Sequence, residues 1–402
     1  MNKPIDESVD VLIVGGGLTG ASLMLALSSL GIKTKLIETK SYTTHIVDDF
    51  DSRSLALSKS SVAILKMLQV WPLLQEHATP IEKIQVSERS RFGRATLSGS
   101  SDSPLGYVVE MPYIQRALMA LLDKQQVLAP ATLIACSSMN GVATIRGING
   151  ESTIKAALIV AADGTDSAVR QFCGAAATVK AYDQHAIVAN IGLARPHAFN
   201  AYERFSSSGP LAFLPLSGLR AAMVWALSKN DARQWMEANE GDFLKGLQEA
   251  FGYRLGRLVR VGRRHCFPLR QVQMPRQVQG RVVFIGNAAQ TLHPVAGQGF
   301  NLGLRDVASL AECIASHGLG SDMLQSYQDA RRHDKSSIIQ LTQGLIDLFS
   351  STLPGLGQAR GLGLLMLDHV PLFKKWLARY TSGFGGVIPD LVCGIPIQKE
   401  FL

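Results

Sequence analysis

A glycine-rich turn near the start of the chain constrains the fold more than any other feature of the sequence. Residues 9–14 read VDVLIV, a continuous apolar run typical of a strand buried on both faces, and Gly15-x-Gly17-x-x-Gly20 follows directly. A helical pattern then runs to Gly31, before a second predicted strand at 34–37 that ends at Glu38. The order strand, glycine turn, helix, strand and acid predicts the first unit of a parallel α/β sheet.

Each glycine of this turn has a distinct physical role. Gly15 permits the tight turn, Gly17 lets the backbone approach a pyrophosphate, and Gly20 lets the helix pack close to the strand. The helix start at Leu18 and Thr19 offers free N–H groups and about half a positive charge to phosphates. Glu38 stands where an acid can accept hydrogen bonds from a ribose. The turn therefore predicts a dinucleotide site, and the alternative is an ordinary strand-to-helix turn.

Two further glycine motifs follow predicted buried strands. Asp163-Gly164 comes after the strand at 158–160, and the simple alternative is a turn in which Ser167 caps a helix at 168–172. The segment Gly286–Asn301 follows the apolar run 281–285, contains two glycine-rich turns around a rigid proline, and predicts a helix start near Asn301. Such a helix start can stabilise negative charge.

Composition limits the remaining possibilities. A chain of 402 residues with 47% hydrophobic and 18% charged residues predicts two or three folded units and no disorder. A formal net charge of +8 suits nucleic acid, anionic lipid or a phosphate-bearing cofactor, but we find no nucleic-acid motif. No uncharged apolar run reaches 18 residues, and the first ten residues lack a signal core, so we expect neither a membrane span nor secretion. Five scattered cysteines without a CxxC pair favour a reducing cytoplasm and no metal site.

The fold class that follows is α/β, with a Rossmann-like domain interleaved with a β-rich second domain and a helical C-terminal region. Short apolar runs broken by Asn140-Gly141 and Asn149-Gly150, together with those between 188 and 225, indicate the β-rich part. We assign residues 1–80, 150–180 and 280–320 to a discontinuous cofactor domain, residues 81–149 and 181–279 to a substrate domain, and residues 321–402 to the helical region.

Taken together and in this order, the three motifs resemble the class A FAD monooxygenases, the flavoprotein aromatic hydroxylases. The strings at 51–58, 203–216 and 286–306 are more specific and resemble the ubiquinone-biosynthesis branch, of the 2-polyprenyl-6-methoxyphenol hydroxylase type. The resemblance covers about the first 330 residues.

This resemblance implies a set of cofactor residues. The turn at Gly15–Gly20 would hold the FAD pyrophosphate, Glu38 the ribose, and Arg53 a phosphate, although Arg53 could instead pair with Asp49 or Asp51. Asn287 stands where the broad family usually has aspartate, and its amide can still accept a hydrogen bond. The remaining positions that the resemblance places on FAD are Gln115, Asp163, Gly164, Gly286, Pro294, Gly297, Gly299, Phe300 and Asn301.

The resemblance also implies the chemistry. NAD(P)H would reduce FAD, O2 would form a C4a-hydroperoxide, and an electron-rich polyprenyl phenol would take the distal oxygen. His293 could deprotonate or orient the phenol, or could be a histidine bonded to backbone in a tight loop. Phe213, Pro215 and Trp225 are candidate walls of the substrate pocket, and core packing explains them equally well.

The C-terminal region contains apolar residues in a helical pattern beside lysine and tryptophan. Apolar residues at helical spacing between 338 and 349, followed by Leu372–Trp376, suit a membrane interface, a partner in a biosynthetic complex, or a core stripe. The arginines between 254 and 264 suit acidic lipid or a solvated face. Three alternatives to the leading function stay open: a sister hydroxylase acting at another ring position, a flavin reductase or halogenase on the same fold, and a non-catalytic flavin-fold subunit.

Overall fold

The structure is a computed structural model that describes residues 5–42, 49–89, 91–292, 298–350, 356–370, 382–383 and 388–399. Within the helices after residue 297, some side chains also lie outside the description. Across these ranges, no helix combines the length and apolar composition needed to span a bilayer.

Strands and helices alternate at the start of the chain and separate later. The strands, in chain order, are β1 Glu7–Val14, β2 Thr34–Ile37, β3 Ser54–Ser58, β4 Thr79–Ile81, β5 Lys83–Glu88, β6 Arg94–Ser98, β7 Gly106–Glu110, β8 Val127–Leu128, β9 Ala131–Ser137, β10 Val142–Gly147, β11 Gly150–Ala161, β12 Thr178–Leu193, β13 Asn200–Ser206, β14 Gly209–Leu216, β15 Arg220–Ser228, β16 Leu258–Val261, β17 His265–Gln273, β18 Val278–Gln279, β19 Val282–Phe284 and β20 Gln290–Thr291. The described helices are α1 Leu18–Ser28, α2 Lys59–Met67, α3 Met111–Leu121, α4 Ala168–Phe172, α5 Lys229–Glu237, α6 Glu240–Phe251, α7 Gln298–His317, α8 Ser321–Ser350, α9 Leu356–His369 and α10 Asp390–Cys393.

The first sheet confirms the Rossmann-like prediction. Its order is β18-β19-β11-β1-β2-β8, and β11, β1, β2 and β8 run parallel, as does β19 beside β11. Strand β1 is central and its last four residues are buried, because α1 and α7 cover one face of the sheet and residues of β9, β10 and α4 cover the other. One face packs on α1 and α7 around Val11, Leu23 and Leu304. The carboxyl ends of β1, β11 and β19 therefore meet at one edge.

Strands β9 and β10 extend this first sheet. They form a hairpin that pairs antiparallel with β11, through the turns at Asn140-Gly141 and Asn149-Gly150. Residues 131–147 thus belong with β1, and not with the β-rich layer to which we assigned them. The reason is that β11 follows directly after β10 and pairs with it, and β9 in turn pairs with β10.

The second sheet is antiparallel apart from one strand pair. Its order is β20-β17-β12-β15-β14-β13-β5-β6, with β16 on β12, and only β13 and β5 run parallel. One face packs on α5 and α6 around Ile187, Phe213 and Phe243. The opposite face meets the small sheet β3-β7-β4, where Ala222 and Leu216 pack against Ile81 and Val108.

The C-terminal helices connect the two large sheets. Helix α8 packs on α7, and α9 lies over β5 and β6, where Arg360 forms an ion pair with Glu88 (2.7 Å). Leu348 and Met366 are exposed on these helices. Leu372–Trp376 lie outside the described residues, so their predicted docking role stays a prediction.

Candidate functional site

The first glycine turn has the geometry that the sequence predicts. Gly15 adopts φ +104°, and a Cβ there would lie 2.5 Å from the carbonyl oxygen of Ala162. A Cβ on Gly20 would lie 2.0 Å from the carbonyl oxygen of Gly15, so only glycine lets α1 start so close to β1. By contrast, the Cβ position of Gly17 is exposed and meets no atom within 4 Å. Gly15 and Gly20 therefore build the turn, and Gly17 leaves space above it.

Helix α1 presents its start to that space. Gly17 is the N-cap and supplies no side-chain hydrogen bond, and the first intrahelical bond is donated by Ala21. The N–H groups of Leu18, Thr19 and Gly20 precede that bond, so they are available to a ligand. An uncapped helix start beside an open glycine is the arrangement that binds a phosphate group.

Glu38 closes the other side of the turn. Its Oε2 accepts a hydrogen bond from the Gly16 N–H (2.7 Å), and its Oε1 accepts one from the Lys40 N–H (3.0 Å). Tyr42 donates to the Gly16 carbonyl (3.1 Å), and burial, with the nearby Glu38 carboxylate, raises the pKa of this tyrosine. The acid is thus fixed at the turn, where its remaining lone pairs can accept from a ribose hydroxyl.

The Asp163-Gly164 motif lies against the first turn. The Ala162 N–H donates to the carbonyl of Val14 (2.8 Å), and Gly164 adopts φ +87°. Ser167 caps α4 as predicted, accepting from the Arg170 N–H (3.0 Å). Asp163 Oδ2 accepts from the Val169 N–H (3.1 Å), whereas its buried Oδ1 has no partner among the described residues, and burial raises the pKa of this carboxyl. The capping turn of the motif is therefore confirmed, and its contact with FAD stays a prediction.

The third motif completes the cluster. The Ile285 N–H donates to the carbonyl of Ala161 (3.0 Å), and Gly286 adopts φ +55°. A Cβ on Gly286 would lie 3.0 Å from Thr19 Oγ1, so the third turn touches the first. Arg170 joins the second turn to the third, because its guanidinium donates to the carbonyls of Thr165 (2.7 Å) and Ala288 (2.9 Å). The three turns thus form one concave cluster at the carboxyl edge of the first sheet.

The start of α7 faces this cluster. Helix α7 is described from Gln298, three residues before the predicted start at Asn301. Asn287 is exposed, and its Oδ1 lies 3.9 Å from the Cβ position of Gly299. Gly299 and Phe300 are half-buried on the first turn of the helix. His293, Pro294 and Gly297 lie outside the described residues, so their roles stay predictions.

The side chain of Asn301 makes contacts that the sequence did not predict. Its Oδ1 accepts from the Ser58 N–H (2.9 Å) and from Ser61 Oγ (2.6 Å), and its Nδ2 donates to the carbonyl of Ala56 (3.0 Å). The side chain therefore fixes the helix start to β3 and α2, and the predicted place of Asn301 beside FAD stays a prediction.

Arg53 and Gln115 lie at the border of the site. The Arg53 carbonyl accepts from the Met111 N–H at the start of α3 (2.7 Å), and its guanidinium carbon lies 5.9 Å from the centre of the Phe267 ring. Asp51, an alternative partner for Arg53, accepts instead from the backbone N–H of Arg263 (2.5 Å). Gln115 is exposed on α3. Both side chains are accessible to a ligand.

The three residues predicted to form the substrate pocket lie on the other face of the second sheet. The Phe213 ring centre is 4.5 Å from that of Phe251 in α6, and Trp225 is 5.6 Å from Trp235 in α5. Pro215 shares the face of Phe213 because it is two residues further along β14. All three belong to the core between sheet and helices, and not to a pocket facing the glycine turns.

The side chains on the opposite face, which meets the small sheet, alternate with these core residues. Half-buried Val188, Ala212 and Val224 occupy neighbouring strands on that face, and Glu203 continues the row on β13. Strand alternation in β14 is the sequence signal that could have identified them, since Leu211 and Phe213 point to one face and Ala212 to the other.

A buried charge cluster supports the third turn and was not predicted. Asp306 Oδ2 accepts from the Gly286 N–H (2.8 Å) and from Gln290 Nε2 (2.9 Å), while its Oδ1 accepts from Arg331 Nε (2.7 Å). Asp334 bonds to Arg331 and to Arg305 Nη2 (2.5 Å). The adjacent pair Arg305-Asp306, flanked by Leu304 and Val307 in α7, is a sequence signal of this cluster.

The arginines between 254 and 264 do not form one uniform face. Arg264 is half-buried and donates to the carbonyls of Trp235 (2.5 Å) and Ala238 (2.7 Å), and Arg260 lies over the Phe50 ring (3.8 Å). Arg254 donates to Ser87 Oγ (2.9 Å). These contacts explain much of the cluster as packing and hydrogen bonding within the protein.

Comparison with known proteins agrees with this geometry. The family model described as "FAD binding domain" matches residues 8–342, which include all three turns. The chain belongs to this FAD-binding family. Among curated proteins, it is 32% identical over 413 residues to ubiquinone hydroxylase UbiL of Rhodospirillum rubrum, covering 98% of this chain and 94% of that protein. It is 30% identical over 390 residues to 3-demethoxyubiquinol 3-hydroxylase of Escherichia coli, covering 94% and 99%.

Solved structures share the fold. The p-nitrophenol 4-monooxygenase PnpA of Pseudomonas putida superposes with a TM-score of 0.77 at 16% identity, covering 94% of this chain and 99% of that one. PqsL of Pseudomonas aeruginosa superposes with a TM-score of 0.73 at 20% identity, covering 89% and 100%. The predicted fold class is confirmed, and the chain is an FAD-dependent hydroxylase. The residues present fit FAD, because an open glycine, an uncapped helix start and the unpartnered Oδ1 of Asp163 lie in one cluster.

Proposed function

We propose that this protein hydroxylates the ring of a polyprenylated phenol on the route to ubiquinone, with FAD as cofactor and NAD(P)H as co-substrate. The observation that carries this proposal is that the three glycine turns converge at one edge, and that Asn301 at the start of α7 joins this edge to the small sheet, which packs on the second sheet. Full-length similarity to two hydroxylases named for ubiquinone or its precursor supports the pathway. As the substrate type we propose 2-polyprenyl-6-methoxyphenol.

Different residues would bind the different parts of FAD. The N–H groups of Leu18 and Thr19 would hold the pyrophosphate, and Glu38 the adenosine ribose. Asp163 would accept a hydrogen bond from the cofactor through its free Oδ1, and the start of α7 would place N–H donors beside the flavin ring. FAD, when bound, supplies the electron transfer and oxygen chemistry. The protein contributes orientation and a dry pocket.

The test is a direct assay of oxygen insertion. FAD-loaded protein is mixed with NADH or NADPH, 18O-labelled O2 and 2-polyprenyl-6-methoxyphenols of defined chain length. We expect one labelled oxygen in the ring of the product, and mass spectrometry with NMR identifies the ring carbon. NAD(P)H oxidation without labelled product would indicate a reductase, and binding of the phenol without oxidation would indicate a non-catalytic subunit.

A polyprenyl substrate also bears on location. Such a molecule partitions into lipid, and Leu348 and Met366 are exposed on the C-terminal helices. We propose that the protein works from the cytoplasm at the membrane surface, beside other enzymes of the same route. Co-sedimentation with anionic vesicles measures this binding, and protein that stays in the supernatant at low salt contradicts it.

A further inference from the structure

A single glutamate stands in an apolar row on the face of the second sheet that meets the small sheet. Strand register pairs Glu203 with Ala212, Ala212 with Val224, Val224 with Val188, and Val188 with His265. Side chains of cross-strand partners point to the same face of a sheet. Glu203 is therefore the carboxylate of a row that is otherwise made of small apolar residues and ends at a histidine.

Contacts with the small sheet show which way this face points. Ala201, two residues before the glutamate, belongs to a core cluster with Val108 and with Ala56 of β3. The Ala56 carbonyl accepts from Asn301 at the start of α7 (3.0 Å). On the same face, Asn190 donates to the carbonyls of Phe50 and Ser52, both at 2.7 Å. Glu203 is two residues from Ala201 on the same strand, a distance of about 7 Å, and Ala201 packs with Ala56, which is bonded to the start of α7.

The C-terminal helices cover the same face from the far side. Glu203 is paired with Val86 of the parallel strand β5, and Glu88 follows on that face two residues later. Arg360 of α9 donates to Glu88 through Nη2 (2.7 Å) and Nε (3.1 Å), and to the carbonyl of Leu348 in α8 (2.8 Å). Glu203 therefore lies between two neighbours on its face: Ala201, which packs with the small sheet, and the strand end where Arg360 of α9 binds Glu88.

The two glutamates of this face have opposite environments. Glu88 is neutralised by a bidentate contact with Arg360. Glu203 is half-buried and makes no hydrogen bond or ion pair with any described residue, and burial raises the pKa of its carboxyl to about 7. Burying a carboxyl without a partner is unfavourable, so a retained one is a candidate for contact with a ligand donor.

We propose that Glu203 accepts a hydrogen bond and then the proton from the phenolic hydroxyl of the substrate. The O–H bond of the phenol breaks, a carboxylate oxygen of Glu203 takes the proton, and the electron pair stays on the phenolate oxygen. The phenolate ring is more electron-rich and attacks an electrophilic oxygen faster. This step rests on the proposed function and makes Glu203, in place of His293, its proton acceptor.

The raised pKa of Glu203 is closer to the pKa of a phenol than that of a solvated glutamate is. A phenol has a pKa of about 10, and a solvated glutamate one of about 4. With its pKa raised to about 7, Glu203 is a stronger base than a solvated glutamate and is still ionised above neutral pH. The apolar neighbours that raise the pKa therefore also make the proton transfer less unfavourable.

The test compares two phenols in the FAD-loaded enzyme. One is 2-(3-methylbut-2-enyl)phenol, and the other is the same phenol with ring fluorines that ionise it below pH 7. We measure kcat and KM for hydroxylation between pH 6 and 9 in the wild type, in E203Q and E203D, and in E237Q as an exposed control. His265, Glu88 and Arg360, the other charged or titratable side chains named on this face, are unchanged in every variant.

The expected pattern is selective for the protonated phenol. Wild-type and E237Q kcat with the unfluorinated phenol should rise with pH through about 7. E203Q should lose roughly 100-fold in kcat and lose this rise, whereas E203D should retain part of both. With the fluorinated phenol, which needs no base, E203Q should stay within about threefold of the wild type.

Three outcomes overturn the proposal. Wild-type kcat and pH profile in E203Q would show that Glu203 takes no proton, and equal losses on both phenols would show a structural role. If E203Q does not bind FAD, E203D decides, and a wild-type rate and profile in that variant overturns the proposal. Wild-type protein that hydroxylates neither phenol overturns the proposed function, an outcome distinct from failure of Glu203 alone.

Discussion

Replacing Asp306 by asparagine tests whether the buried charge cluster supports the third glycine turn. Asp306 is 0% exposed and accepts hydrogen bonds from Arg331, from Gln290 and from the N–H of Gly286. An asparagine has the same shape but one acceptor oxygen and an N–H2 group that must face a donor. Arg331 also loses one of its two carboxylate partners.

The size of the effect follows from burial. Removing one partner of a buried ion pair costs about 3–5 kcal/mol, and an orphaned buried N–H costs about 1–3 kcal/mol. We expect D306N to lose about 4 kcal/mol of unfolding free energy. The matched control is D166N, because Asp166 pairs with Arg270 at side-chain exposures of 75% and 38%. That exposed pair is worth about 0–1 kcal/mol.

The assay is urea unfolding at neutral pH with FAD in excess, followed by tryptophan fluorescence. Raising the salt concentration should weaken the contribution of Asp166 and leave that of Asp306 nearly unchanged, because buried pairs are poorly screened. A D306N variant within about 1 kcal/mol of D166N would refute the reasoning. FAD affinity should also fall in D306N, since Gly286 is held in place by this carboxylate.

Three further substitutions test other parts of the site. G17V should give soluble, colourless protein, because a valine fits the fold there but fills the space for the pyrophosphate. The control G147V, also at an open position, should stay yellow. A yellow G17V with normal turnover would contradict this prediction. E38A should weaken FAD binding by about 1–3 kcal/mol through loss of the ribose contact, and an unchanged dissociation constant measured by flavin fluorescence would contradict it. Burial lowers the pKa of Lys335 to about 7, so the folded protein binds fewer protons there than the unfolded chain above pH 7. The unfolding free energy should therefore increase between pH 7 and pH 10, by at most about 1.4 kcal/mol for each pH unit. The variant K335M should lack this increase.

Local features of the site were predictable from the sequence. Gly15, Gly20 and Gly164 adopt their conformations because of short-range geometry, and a positive φ or a close approach favours glycine wherever it occurs. The Ser167 cap and the hairpin turn at Asn140-Gly141 are likewise set by their immediate neighbours. The family resemblance then supplied the order in which the turns assemble.

Long-range partners could not be predicted in the same way. Asn301 bonds to Ser58 and Ser61, more than 200 residues earlier in the chain, and nothing near Asn301 in the sequence indicates them. The face occupied by Phe213 depends on register with β15 and on the position of α6. A short apolar strand is compatible with either face until those neighbours are known, so the choice of pocket residues required the structure.

The order of strands in the first sheet has a consequence for synthesis of the protein. β1 is made first, yet its neighbour β11 ends at Ala161, and the next strand, β19, begins only at Val282. A nascent chain whose first glycine turn has emerged from the ribosome therefore has only one of the three turns that form the cluster. If the start of α7 binds FAD as we propose, the coenzyme can bind fully only after residue 298 has been synthesised, which makes binding a late event in the maturation of each molecule.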